Sequence, residues 1–182
     1  MNSANQPDSS ASSAQVTLDL EHLLPYRLSI LAYRVIHSIS GEYHRRHGLA
    51  VTEWRTMAVL GRFPSLSASE VCEHTGMDKV AVSRAVARLL ERGLLQRRIH
   101  SDDRRRSVLA LSPAGLAVHD EIAPMVLSCE QELLSPLDQA EREQLDQLLT
   151  KLAGPGMNTM TQKIADMSHA ESPRPAAAPP RF

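Results

Sequence analysis

Between Asp78 and Gly115 the chain changes its hydrophobic period twice, and few folds accommodate that order of elements. In "DKVAVSRAVARLLERG" (78–93), Val82, Val86, Leu89 and Leu90 recur at three- and four-residue steps, which gathers them on one face of a helix. Asp78 is suited to cap its start and Gly93 to close it. "LLQRRI" and "SVLALS" then read as two short strands around the loop "HSDDRRR", a hairpin. Ser112-Pro113 restarts a helix, because a serine cap followed by proline suits the first helical position.

The flanking segments are helical. Pro25 fits a first turn, and Leu28, Leu31, Val35 and Ile39 then predict a long helix to about Arg46, closed by Gly48. Thr52 is placed to cap a second helix through about Arg62, ended by Pro64. "SASE" (67–70) is a capping box that opens a short helix stopping near Gly76. The helix from Pro113 runs to about Leu134 with Ile122, Val126, Cys129 and Leu133 in step, and Pro124 predicts a kink in it. Asp138 with Glu141 forms a second capping box, opening a helix with Leu145, Leu148, Leu149 and Leu152 on one side. The fold class is therefore mainly α with a small β-hairpin: a helix-turn-helix followed by a wing.

A formal net charge of -1 hides a strong asymmetry. Residues 78–106 carry nine Lys/Arg against four acids, whereas residues 113–182 carry ten acids against five bases. A local basic segment in a neutral chain implies a surface that faces a polyanion. A helix seated in the DNA major groove needs an apolar back and a small or polar front. Stepping round the helix puts Val80, Arg84, Ala87 and Arg88 opposite the apolar row, with Lys79, Ala81 and Ser83 at the entering end. Arg84 can donate two hydrogen bonds to a guanine edge or grip a phosphate, and Val80 and Ala81 suit a thymine methyl. At the hairpin tip, Arg104 and Arg105 suit the negative potential of the minor groove. Asp103 is placed to hold a neighbouring arginine there, and Arg106, where the second strand begins, supports the wing. The competing reading is a solvated charged helix beside an ordinary hairpin.

Other classes fare worse. There is no G-x-S-x-G, no phosphate-cradling glycine loop and no H-E-x-x-H, so no catalytic residue is assigned and the expectation is not an enzyme. Cys72 and Cys129 share no metal or redox spacing and read as core thiols, against a thiol-redox regulator. His37, His44 and His47 could be offered as a metal site, but Arg45 and Arg46 would repel a cation, so neither metal nor cofactor is expected. A winged-helix protein-interaction module would not ask for arginines at both groove positions. With no apolar run of 18 residues and no signal-peptide pattern, the expected setting is cytoplasmic, without a membrane partner.

"DKVAVSRAVARLLERGLLQRR" followed by "DDRRRSVLALSPAG" resembles the MarR family of winged-helix bacterial transcription regulators, over about residues 20–153. The shared features are a reading helix ending in Leu-Glu-x-x-Gly-Leu, a wing bearing Asp-Arg-Arg, and Leu-Ser-x-x-Gly opening the next helix. The resemblance places the wing motif at Asp103-Arg104-Arg105 and the reading residues at Val80, Ser83 and Arg84. His100 departs from it, standing where the family commonly has an acid.

One reading helix and one wing cover little DNA, so a two-fold homodimer on a palindromic double-stranded operator is expected. The resemblance implies that the N- and C-terminal helices form the dimer. It also implies a small-molecule signal, commonly a phenolic or aromatic acid, bound between those helices and the DNA-binding lobe. Tyr26, Arg27, Tyr33, Arg34, His37, Trp54 and Arg55 supply flat apolar walls and carboxylate partners for such a ligand. Core packing and solvation are their alternative roles. The expected organisation is thus a disordered segment (1–17), an N-terminal dimerisation helix (18–48), a winged helix-turn-helix (49–112) and C-terminal dimerisation helices (113–153). Residues 154–182 are expected to be a flexible Pro/Ala-rich tail.

Overall fold

The computed structural model describes residues 17–99 and 107–170. Helix α1 (Leu24–His47) has Pro25 in its first turn and ends at Gly48, whose φ of 62° takes the left-handed conformation that glycine adopts without strain. Helix α2 (Val51–Arg62) begins one residue before the threonine expected to cap it. Thr52 lies inside, and Glu53 does the capping instead, its carboxylate accepting the Ala50 N–H at 2.9 Å. Ala50 has no side-chain acceptor to return the bond, so the acid three residues on carries this terminus alone.

The capping box at 67–70 is formed as expected. Ser67 Oγ accepts the Glu70 N–H at 3.3 Å, the Glu70 carboxylate accepts the Ser67 N–H at 2.7 Å, and α3 (Ala68–Thr75) follows. Helix α4 (Lys79–Glu91) comes next, then β1 (Leu95–Ile99) antiparallel to β2 (Ser107–Leu111), with Leu95 opposite Leu111 and Ile99 opposite Ser107. Leu66 adds a bridge to Leu109 on the far side of β2. Helix α5 (Pro113–Leu133) is capped by Ser112, whose Oγ accepts the Gly115 N–H at 3.0 Å and donates to the Gly93 carbonyl at 2.6 Å.

The chain divides into two units between Val126 and Leu127, within α5. The first holds the core: Leu49, Met57, Leu60, Val71, Val82 and Leu89 are 0–2 % exposed, with α2 packed on α3, α4 and β2. Each such side chain contributes about 1.5–3 kcal/mol by leaving water.

The second unit contains α6 (Gln139–Lys151), opened by the Asp138–Glu141 capping box, a π-helical turn (Leu152–Gly156) and α7 (Met157–Ala170). Arg142 donates to the Leu134 and Leu137 carbonyls, tying the first turn of α6 to the connection that follows α5. Helix α7 corrects the expectation of a structureless tail from residue 154. The prolines that argued for it stand beyond residue 170, outside the described residues, while 157–170 contains no proline or glycine and repeats Met157, Met160, Ile164 and Met167 along one stripe. Cys129, expected in a core, is exposed, because the second unit buries no described helix face in the single chain. Among the described residues no helix is long and apolar enough to cross a membrane.

Candidate functional site

Helix α4 has two opposed faces. Asp78 Oδ1 accepts the Ala81 N–H at 2.8 Å and starts the helix where the sequence placed it. Val82, Ala85, Val86 and Leu89 are 0–4 % exposed and seat the helix on the core. Lys79, Val80, Ser83, Arg84, Ala87 and Arg88 are exposed, and Ala81 is half-buried. Val80 is 58 % exposed, so it stands outside the buried row that seats the helix.

The turn before α4 is fixed from two sides. Thr75 Oγ1 donates to the Val71 carbonyl at 2.7 Å and accepts the Met77 N–H at 3.3 Å, and Gly76 turns the chain with φ 64°. Arg55, from α2, donates to the Thr75 carbonyl. The helix is thus presented by a rigid support, with its small and cationic side chains outward.

Three further residues belong to this face that sequence reasoning passed over. Arg97, exposed on β1, joins Ser69, Lys79 and Ser83 along a cleft of about 350 Å³. Glu53, buried beneath α4, stands 3.8 Å from Arg88 and 3.5 Å from Arg92. Arg92 also donates to the carbonyls of His47 and Gly48. The excess of arginines near the end of α4 was the available signal, but a lone acid 35 residues upstream of Arg88 offers no spacing that reveals its partner. Asp103, Arg104, Arg105 and Arg106 lie outside the described residues.

The seven residues considered for a ligand do not form one group. Trp54 and Arg55 line a cleft of about 280 Å³ with Val35, Ile36, Tyr43 and Val126. Tyr26, Arg27 and Arg34 border a separate, shallower depression on α1. Tyr33, 64 % exposed, stacks on His37 with ring centroids 5.7 Å apart, and neither lines the Trp54 cleft or the α1 depression. Tyr43, which the sequence reading omitted, is buried with its ring 6.0 Å from Trp54, and His119 stacks on Trp54 at 5.7 Å. Burial pushes the Tyr43 phenol above the usual tyrosine range, and the positive charge of Arg55 opposes the shift. An apolar floor with an aromatic wall and one arginine suits a flat anion.

Among the described residues no three or more His, Cys, Asp or Glu side chains gather as metal ligands. His44 faces the Leu49 carbonyl and His47 the Glu121 carboxylate. Cys72 is half-buried on α3.

The matches to known proteins follow this architecture. A family model described as "MarR family" matches residues 47–106, from the end of α1 to the residue before β2. A putative transcriptional regulatory protein for the hcr operon of Thauera aromatica is 30 % identical over 143 residues, covering 68 % of this chain and 86 % of the relative. The crystal structure of a MarR/EmrR family transcriptional regulator from Acinetobacter sp. ADP1 superimposes with a TM-score of 0.71 at 28 % identity, covering 80 % of this chain and 99 % of that one. PcaV, a transcriptional regulator from Streptomyces coelicolor solved in complex with its natural ligand, gives 0.59 at 26 % identity, over 76 % of this chain and 97 % of its own. With a helix-turn-helix, a paired hairpin and relatives of nearly full length, the chain belongs to the MarR family and is a DNA-binding transcriptional regulator.

Proposed function

We propose that the protein is a homodimeric repressor that binds a palindromic operator and is released by a small aromatic acid. The observation that carries the DNA-reading part is the division of α4 into a buried Val82–Val86–Leu89 face and an exposed Val80–Ser83–Arg84–Arg88 face. The latter enters the major groove, with Lys79 and Ala81 at its leading end, and Arg104 and Arg105 reach the minor groove beside it. Asp103 and Arg106 shape the wing.

Dimerisation is supported separately by each unit. Helix α1 leaves Leu24, Leu28, Leu31 and Tyr33 between 42 and 64 % exposed, and the second unit leaves Leu145, Leu148, Leu149 and Leu152 between 38 and 48 % exposed. Apolar rows of that extent in a single chain ask for a second copy. Two reading helices then meet successive major grooves about 34 Å apart.

The effector binds in the Trp54–Tyr43–Arg55 cleft, Arg55 pairing with a ring carboxylate and Trp54 stacking on the ring. That PcaV was solved with its natural ligand supports a ligand-responsive reading for this chain. The mechanism is a population shift: ligand favours a dimer whose reading helices are mis-spaced, and its differential affinity for the two states sets the response. The experiment is a fluorescence-anisotropy titration of DNA from the protein's own promoter neighbourhood, with and without benzoate, cinnamate and nicotinate-type acids. Two chains per site and release by a ring acid support the reading; tight binding by a single chain, or indifference to every acid, contradicts it.

A further inference from the structure

Glu53 sits in the first turn of α2, 3 % exposed, and its carboxylate serves two elements at once. Its Oε2 accepts the Ala50 N–H at 2.9 Å and lies 3.5 Å from Arg92 Nη1, while Oε1 lies 3.8 Å from Arg88 Nη1. The two arginines are not equivalent. Arg92 is committed to the end of α1, where it donates to the His47 and Gly48 carbonyls. The Arg88 side chain is 67 % exposed and held at the longer distance. Arg84, one turn earlier, has no ion pair among the described residues, and it shares with Arg88 and Glu53 the lining of a pocket of about 240 Å³.

When Arg88 turns to a phosphate, Glu53 keeps the Ala50 N–H and Arg92 but loses one of its two cations, a modest cost for a carboxylate that water reaches poorly. A phosphate oxygen arriving at Arg88 therefore competes with Glu53 for one guanidinium. The exchange returns less free energy than the same phosphate would obtain from an unpaired arginine.

We infer that Glu53 is a positioning residue that restrains Arg88, so that α4 offers the phosphate backbone only part of the charge of Arg88. This rests on the reading of α4 as the DNA-facing helix. The consequence is weaker sequence-independent binding with base contacts near the start of α4 untouched. Operator and random duplex are weakened alike, so the base contacts alone set the ratio of the two affinities.

The test is a double-mutant cycle on DNA binding, using full-length wild type, Glu53→Gln, Arg88→Ala and the double variant, with a random-sequence duplex over a salt series. Glutamine keeps the volume and an oxygen for the Ala50 N–H. Glu53→Gln is expected to tighten random-sequence binding several-fold. It should also steepen the dependence of log affinity on log salt by about 0.9, one added phosphate contact. In the Arg88→Ala background the same change should have no effect. A gain of equal size in both backgrounds would reduce Glu53 to a general charge and overturn the inference, as would an unchanged slope. If Glu53→Gln fails to fold by circular dichroism, Arg88→Gln carries the test: restraint predicts that it flattens the random-sequence salt slope by well under about 0.9, and a change of about 0.9, one full phosphate contact, contradicts it. Failure of wild type to bind any duplex would instead count against the DNA-facing reading of α4.

Discussion

Gly115 lies against the backbone of Leu94: a Cβ placed on Gly115 would fall 1.9 Å from the Leu94 carbonyl oxygen. That oxygen also accepts the Ser112 N–H at 3.0 Å, and Ser112 Oγ bonds both Gly93 and Gly115. The Leu-Ser-x-x-Gly stretch is therefore a clasp that locks the start of α5 onto the entry to the wing. Gly115→Ala puts a methyl group into backbone that has no flexible end to yield. Urea unfolding should show a loss of about 3 kcal/mol or more; a loss under about 1 kcal/mol would mean that the clasp opens easily.

Variants of Arg84 and Arg105 test whether the proposed base reading and backbone grip fall to different residues. Arg84→Ala should cost about 1–3 kcal/mol on the operator and relax sequence preference, whereas Arg105→Ala should weaken all sequences alike. Competition titrations of operator against random duplex check both. Equal, sequence-blind losses would make Arg84 a phosphate contact.

Asp78 holds the first turn of α4 through the Ala81 N–H. Asp78→Ala should lower stability by about 1 kcal/mol, and Asp78→Ser should restore most of it, since serine also accepts that bond. Thermal melts of the three proteins decide the point.

Tyr43 gives a pH signature. Its phenol is held above the ordinary range by burial, so the folded-state pKa exceeds the unfolded one. The sign follows: this contribution is whole below about pH 10 and is lost as pH rises through the folded value. Wild type should lose more stability than Tyr43→Phe between about pH 9 and about pH 11. Parallel stability curves would show that the phenol is not desolvated.

Trp54 is the chain's single tryptophan, so its emission reports on the proposed effector cleft without labelling. Titration with a ring carboxylate should change that emission saturably, and Arg55→Ala should weaken the response at least about tenfold, the cost of a lost charge-assisted hydrogen bond. An identical response in Arg55→Ala would place the carboxylate elsewhere.

The elements legible in the sequence were those whose signals are local. Ser67 with Glu70, Asp78, Ser112-Pro113 and Asp138 with Glu141 each satisfy backbone groups within three residues of themselves, so their spacing declares them. Thr52 misled because a cap is set by where the chain turns, and Gly48 turns it early enough for Glu53 to reach back to Ala50. What stayed hidden was long-range. Glu53 meets Arg88 and Arg92 only after α4 docks, and Tyr43 reaches Trp54 only across the corner between α1 and α2. The ligand group scattered for the same reason: Tyr26 and Tyr33 stand on α1 and Trp54 on α2, and which faces of the two helices meet is settled only when they pack. Helix α7 was obscured by averaging its proline-free residues with the proline-rich run after them.

The central claim, that two copies of α4 occupy neighbouring major grooves, is tested most directly by methylation interference on a bound promoter fragment. Guanine N7 lies in the major groove and adenine N3 in the minor. The account predicts that N7 methylation blocks binding in two clusters about one helical turn apart, and that Arg84→Ala relieves the block at one guanine in each. Interference confined to adenine N3, or a single N7 cluster, would contradict it.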